Sequence, residues 1–260
     1  MTWIKVCGIT NLEDALAAVQ AGADALGFVF VADSPRHISP QAAREIVSQV
    51  PQRIEKVGIF MNAVPAHIHA TAKQVGLNAV QLHGNEDLEQ LRSVFTLLRN
   101  GADRPVVIRA CPARLLEAPR EPGTGWDPIA AGVVEVDETY GGKRVGRLHV
   151  ADNGDLFLET HGFRSGVVSR VLLDSAAGSK RGGTGKRFDW EKVQPWAGII
   201  NSISKLIVAG GLGPENVGEA IRTLHPWGVD VSSGVESAPG KKDPVKIREF
   251  VEAVRSVDTV

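Results

Sequence analysis

Cys7 is the residue whose neighbours best equip it for chemistry. It sits in Lys5-Val6-Cys7-Gly8-Ile9-Thr10, where an apolar run ends at a thiol, a glycine follows and Thr10 opens a helical pattern. That places the thiol at the carboxyl end of a first strand, in a strand-to-helix loop. In a β/α barrel this is the catalytic face. A free thiol titrates near 8.5, and local positive charge would make it a usable base. A buried structural cysteine is the plain alternative. Asp174 is the second candidate. It closes the otherwise apolar run Val171-Leu172-Leu173, where a carboxylate is costly unless it caps the next loop or serves a reaction. A partly desolvated carboxyl holds its proton more firmly and can act as a general acid. A thiolate and such a carboxyl facing each other across a barrel suit proton transfer on a sugar.

Three glycine-rich elements come next. Gly182-Gly183-Thr184-Gly185 follows a sixth strand, Ala209-Gly210-Gly211-Leu212 a seventh, and Ser232-Ser233-Gly234-Val235 an eighth. Glycines let backbone N–H groups approach an anion, and barrels often bind phosphate in the loops after strands seven and eight. One glycine pair means little. Three at these positions point to a phosphate site built from Gly183, Thr184, Gly185, Gly210, Gly211, Ser232, Ser233 and Gly234. Arg36 follows Ser34-Pro35 in the second strand-to-helix loop, and its fork suits a ligand carboxylate. His83 ends a fourth strand and Asp230 lies in the eighth; both are candidates for the substrate wall, and an ordinary core histidine is the alternative for His83. No His/Cys cluster has metal-ligand spacing, and Gly210-Gly211-Leu212-Gly213 is neither a dinucleotide nor a Walker loop.

The elements that must hold these residues alternate along the chain. Strands are predicted at residues 3–7, 25–30, 56–60, 79–82, 105–110, 171–174, 205–209 and 228–231, and helices at 12–21, from Ser39-Pro40, 66–75, 86–98, about 189–194, 214–224 and 244–257. Each strand is a continuous apolar run, as expected for a parallel sheet covered on both faces. Eight strand–helix units predict a (β/α)8 TIM barrel; an open doubly wound sheet would need a topological switch point that the pattern does not show. The period breaks between Cys111 and Arg170. There the chain holds Pro112, Pro119, Pro122, Gly123, Gly125, Pro128 and Gly141-Gly142, then two short β-like runs around Asn153-Gly154. This reads as an insertion at 112–170 in the fifth unit, within a single barrel domain spanning 1–260. Its hairpin should carry Leu148, Val150 and Phe157 on one face. The insertion is either a surface elaboration or a lid or partner surface.

Composition bounds the rest. The chain has 260 residues, 43% of them hydrophobic, enough for one sizeable core. Its formal net charge is -1, which favours neither nucleic acid nor an anionic membrane as the main partner. Two cysteines do not make a disulfide framework. No apolar run is long enough to span a bilayer, and the N-terminus reads as a strand rather than a secretory signal. A cytoplasmic location is the default expectation.

Taken in order, the motifs at 5–10, Gln81-Leu82-His83-Gly84, 172–175 with 182–185, Phe188-Asp189-Trp190, 209–212 and Asp230-Val231-Ser232-Ser233-Gly234-Val235-Glu236 resemble those of phosphoribosylanthranilate isomerases. The resemblance spans nearly all of the chain except about 112–170. It implies a (β/α)8 barrel with no metal or organic cofactor, acting on a small phosphorylated substrate as a monomer or homodimer. The implied reaction is an Amadori rearrangement of N-(5-phosphoribosyl)anthranilate, in tryptophan biosynthesis. Asp174 would protonate the ribose ring oxygen, Cys7 would remove the C2′ proton, Arg36 would hold the anthranilate carboxylate, and the glycine-rich loops would hold the phosphate. Two alternatives stay open. Another phosphate-binding barrel enzyme could share the loops, and a type with a catalytic lysine at a strand end directs attention to Lys5. A non-enzymatic scaffold using the insertion is the other.

Overall fold

A computed structural model of the chain describes residues 1–86, 88–99, 105–113, 147–150, 156–160, 163–168, 170–175 and 187–259. In chain order the elements begin β1 (Trp3–Cys7), α1 (Leu12–Ala21), β2 (Ala25–Val29), α2 (Pro40–Val47), β3 (Glu55–Phe60), α3 (Pro65–Val75), β4 (Ala79–Leu82), α4 (Leu88–Arg99) and β5 (Val106–Pro112). Three strands follow outside the barrel: β6 (Arg147–Val150), β7 (Leu156–Thr160) and β8 (Phe163–Val168). The order resumes with β9 (Arg170–Asp174), α5 (Trp190–Ile203), β10 (Lys205–Val208), α6 (Val217–Leu224), β11 (Gly228–Val231), the short pair β12 (Glu236–Ala238) and β13 (Lys241–Lys242), and α7 (Pro244–Asp258). Strands β1–β5 and β9–β11 close into a barrel. The closing pair is β1 with β11, parallel, with Lys5 opposite Asp230, so the open-sheet alternative is excluded.

Local chemistry starts the helices where the sequence suggests. Asn11 accepts the Asp14 N–H at the head of α1, and Ser39 accepts the Ala42 N–H ahead of Pro40 in α2, each satisfying a donor the helix leaves unpaired. Two helices differ from expectation. α5 runs on to Ile203, through Pro195, because Trp196, Ala197 and Ile200 beyond it are buried in the core; tertiary burial outweighs the lost backbone bond. α6 begins at Val217 rather than 214. Asn216 Oδ1 accepts the Gly213 N–H at 2.9 Å and its Nδ2 donates to Gly211 O at 2.9 Å, which spends the residues before Val217 on tying down a loop.

Alternation along each barrel strand sorts side chains into two layers. Ile4, Val6, Leu26, Phe28, Val80, Leu82, Cys111, Val171, Leu173, Val229 and Val231 pack in the layer between strands and helices. Cys7, Ala25, Val29, Val57, Ile59, Ala79, Ile108, Ala110, Leu172, Ile207 and Ala209 pack together in the lumen. Asp230 flanks Val229 and Val231, and Lys5 flanks Ile4 and Val6, so both face the lumen. The amino-terminal end of the barrel is closed by Trp3 stacked on Trp227 at 5.1 Å, with the Arg170 guanidinium over both rings and paired to Glu55 at 2.7 Å. That end is plugged, so ligand access falls to the other.

Strand β6 pairs antiparallel with β7, and β8 adds a third strand that the sequence reading does not include. The register corrects the predicted face. Leu148 and Val150 oppose Leu158 and Leu156, whereas Phe157 opposes His149. Phe157 therefore belongs to the other alternation set; the expected register was one residue off. The Asn153-Gly154 turn lies outside the described residues.

Candidate active site

The carboxyl ends of the barrel strands gather Cys7 from β1, His83 just after β4, Asp174 from β9 and Asp230 from β11. A cleft open to solvent is lined by Asp174, Ser175, Gly210, Gly211, Leu212, Asp230, Ser232 and Ser233. Gly210 and Gly211 both have left-handed φ, 79° and 68°, a backbone that only glycine adopts without strain. A Cβ at Gly210 would also lie 2.8 Å from Asp174 Oδ1. One at Gly234 would lie 1.9 Å from Leu212 O, so the loops after β10 and β11 touch backbone to backbone. The short 3₁₀ turn Ser233–Val235 starts at this cleft. Gly183, Thr184 and Gly185 lie outside the described residues.

Lys5 is the centre of the lumen. It is 0% exposed, and its Nζ donates to Asp230 Oδ1 at 2.9 Å and to Gln81 Oε1 at 3.0 Å. Burial works to lower the ammonium, but Asp230 and Cys7 beside it outweigh that and hold it above its ordinary value. Lys5 is therefore a fixed cation, not the neutral amine a lysine nucleophile requires. Cys7 is buried, and burial raises its thiol; Lys5 and Lys242 pull the other way without reversing the shift, and Asp230 adds to it. The expected lowering of the thiol by positive charge is present as a contribution and is outweighed by desolvation.

His83 and Arg36 are both engaged. Gln81 Nε2 lies 3.0 Å from His83 Nδ1, and His83 Nε2 lies 3.5 Å from Asp174 Oδ2. Burial holds the imidazole below its ordinary value, so the ring is neutral near pH 7. Arg36 is buried against Gly8, where a Cβ would meet its Cδ at 2.5 Å. Its Nε and Nη2 grip Glu236 at 2.8 and 2.7 Å. The fork read from the sequence as open to a ligand thus has one edge taken, and the Nη1/Nη2 edge meets no other acceptor among the described residues. Glu236 also receives Lys242 Nζ at 2.9 Å. Burial opposes ionisation of Glu236, yet Arg36 and Lys242 overcome it and hold the carboxyl below its usual range. Burial lowers Lys242 itself.

Gln81, Glu236 and Lys242 were not among the candidate site residues, and Lys5 was considered only as the catalytic lysine of another barrel type. For Lys5 and Gln81 the signal was in the sequence: a polar residue in the lumen phase of an apolar strand. Glu236 closes the motif that begins at Asp230, but nothing along the chain pairs it with Lys242; the antiparallel pair β12–β13 does that, and Thr10 Oγ1 donates to Gly240 O of its turn at 2.6 Å.

A closed barrel with a thiol, an imidazole and two carboxylates at the carboxyl ends of its strands defines a β/α-barrel enzyme of acid–base type. Comparison with known proteins narrows this. The model for N-(5'-phosphoribosyl)anthranilate (PRA) isomerase matches residues 4–100 and 143–253, and the chain belongs to that family. The stretch it leaves unmatched, 101–142, overlaps the first part of the expected insertion. The N-(5'-phosphoribosyl)anthranilate isomerase of Pelobacter propionicus is 41% identical over 255 residues, covering 98% of this chain and 96% of that one. The crystal structure of the phosphoribosyl anthranilate isomerase from Thermotoga maritima superposes with a TM-score of 0.70 at 36% identity, covering 98% of this chain and 100% of that one. A phosphoribosyl anthranilate isomerase solved in complex with reduced 1-(o-carboxyphenylamino)-1-deoxyribulose 5-phosphate has a TM-score of 0.68 at 35% identity, with 98% and 100% coverage.

Proposed function

We propose that this chain converts N-(5-phosphoribosyl)anthranilate to 1-(2-carboxyphenylamino)-1-deoxyribulose 5-phosphate, the isomerisation step of tryptophan biosynthesis. One observation carries the reading: a member of this family holds a thiol at the lumen end of β1 and a carboxyl at the lumen end of β9. Asp174 gives a proton to the ribose ring oxygen as the C1′–O bond breaks, leaving a protonated Schiff base. Cys7 takes the C2′ proton, and the resulting enolamine gains a proton at C1′ and loses one from the 2′ oxygen. Substrate and product are isomers, so the proton lost by Asp174 and the proton gained by Cys7 balance over a turnover. The thiolate that acts is the minor form of a raised thiol, favoured by Lys5 and Lys242 beside it.

The remaining assignments follow the same reading. Arg36 meets the anthranilate carboxylate with its Nη1/Nη2 edge. His83 and Asp230 form the sugar wall. Gly183, Thr184, Gly185, Gly210, Gly211, Ser232, Ser233 and Gly234 hold the phosphate through backbone donors and hydroxyls. Residues 112–170 elaborate the fifth unit of a single barrel domain. The chain works as a monomer or homodimer in the cytoplasm, and sedimentation will say which assembly.

The test is conversion of substrate generated in situ, followed by loss of anthranilate-type fluorescence. Asp174→Asn should lower kcat by at least about 10², the usual scale for a general acid, with KM changed much less. Parental turnover in that variant would remove Asp174 from the mechanism.

A further inference from the structure

The polar side chains of the lumen form one chain of contacts: Asp230, Lys5, Gln81, His83, Asp174. Each link has a direction set by chemistry. Lys5 Nζ is donor-only, and it bonds the Oε1 of Gln81 at 3.0 Å. That fixes which way the Gln81 amide points, since the flipped amide would turn its NH₂ group towards an ammonium. The Gln81 NH₂ must then face His83 Nδ1, 3.0 Å away, and a donor there requires Nδ1 to be the unprotonated nitrogen. The single proton of the neutral ring is left on Nε2. Nε2 is buried, makes no hydrogen bond of normal geometry among the described residues, and lies 3.5 Å from Asp174 Oδ2. Apo contacts of this kind tighten in the substrate complex.

We infer that Lys5 and Gln81 are positioning residues that lock His83 in its Nε2–H tautomer, so that Asp174 carries its transferable proton on Oδ1. A carboxyl that accepts an N–H bond at one oxygen keeps its own proton on the other. Oδ1 lies 3.4 Å from Ser175 Oγ, a hydroxyl that donates to it here and can rotate to accept its proton, and beside Gly210, both on the wall of the cleft. The lock therefore aims the acid at the substrate without His83 giving or taking a proton. This rests on Asp174 being the general acid.

The test reads the tautomer directly. Protein carrying ¹⁵N-histidine gives long-range ¹H–¹⁵N correlations that separate protonated from unprotonated ring nitrogens, with His83→Asn assigning the signals. In the parent, His83 should show a protonated Nε2 and an unprotonated Nδ1. Gln81→Glu keeps the size and the Lys5 partner but replaces the donor facing Nδ1 by an acceptor. Nδ1 should become protonated, and kcat should fall about 10- to 100-fold with KM little changed. This is a smaller loss than the roughly 10⁴ seen when a proton-transferring triad histidine is held in the wrong tautomer. Gln81→Leu, the second variant, should show a mixture of tautomers and an intermediate kcat. A parental His83 protonated on Nδ1, or a Gln81→Glu variant whose Nδ1 stays bare, overturns the lock. A switched tautomer with parental kcat shows that the lock does not serve catalysis. Full turnover by Asp174→Asn would instead sink the acid assignment and leave the parental tautomer result standing.

Discussion

Cys7 and Cys111 are the same group near the carboxyl ends of two barrel strands, and both are buried with neither in a disulfide. Strand alternation separates them. Cys7 points into the lumen, beside Lys5 and Asp230. Cys111 packs in the outer layer between strands and helices, with Arg109 and Glu86 as its charged neighbours. Each layer also holds a buried ion pair. Outside, Arg109 and Glu86 are paired, and Glu86 accepts the backbone N–H groups of Asn62 and Gly84 at 2.8 and 3.1 Å. That pair staples the loops after β3 and β4. Inside, the Lys5–Asp230 pair lies among the candidate reacting groups. The comparison teaches that side-chain parity decides whether a buried polar group supports the fold or faces a ligand.

The comparison breaks first at Lys5. Lys5→Met strands Asp230 as a buried unpaired carboxylate, and the expected loss of stability is about 3–5 kcal/mol, measured by denaturant unfolding. It also removes positive charge beside Cys7, so the thiol rises further and the alkaline limb of kcat should move to higher pH. A limb that stays in place would mean that Lys5 does not act on the thiol.

The second test uses alkali. Burial pushes the Cys111 thiol up to about 12, from 9.0. Stability from this thiol is full below about pH 9, where both states hold the proton, and falls above it, where the unfolded thiol ionises and the folded one does not. This contribution is lost as pH rises towards 12. The loss is about 4 kcal/mol over that window. Cys111→Ala should flatten this limb of the stability curve. If parent and variant decline in parallel, burial does not hold that thiol.

The third contrasts the two thiols in catalysis. Cys7→Ser should lower kcat by at least about 10², equivalent to roughly 2.7 kcal/mol. Cys111→Ala should leave kcat near parental and cost about 1 kcal/mol of stability. Equal catalytic losses would erase the distinction between layers. In the parent, the limb of the pH profile set by Cys7 should lie above the ordinary thiol range, because burial raises that thiol.

The smallest expected effect separates the two ends of the ligand. Arg36→Ala should weaken analogues bearing an aryl carboxylate by about 1.5–3 kcal/mol and barely alter simple sugar phosphates, read by calorimetry. Gly234→Ala should do the reverse, because its Cβ would meet Leu212 O at 1.9 Å and push the phosphate loop aside. Matching losses for both ligand types in the Arg36 variant would argue against separate anion sites.

How much of this was legible beforehand differs by element. The eight barrel strands could be read because each is a continuous apolar run, and Cys7 and Asp174 stood out as polar ends of such runs. β8 was missed because Arg164, Ser165 and Gly166 break its apolar pattern, so Phe163–Val168 does not read as a strand by period two. The length of α5 was missed because Pro195 is a local stop that only packing of Trp196 and Ile200 overrides.

The sequence by itself determined the βα period, the strand ends on which reactive groups sit, and the glycines that permit close loops, because these depend on neighbours along the chain. Which groups meet was decided only by the tertiary structure. Lys5 reaches Asp230 because the last strand closes on the first in that register, and Arg36 meets Glu236 across 200 residues because the β12–β13 turn packs back on the loop after β1 at Thr10. Contacts of that kind depend on the closure of the barrel as a whole, a property that no stretch of the chain carries alone.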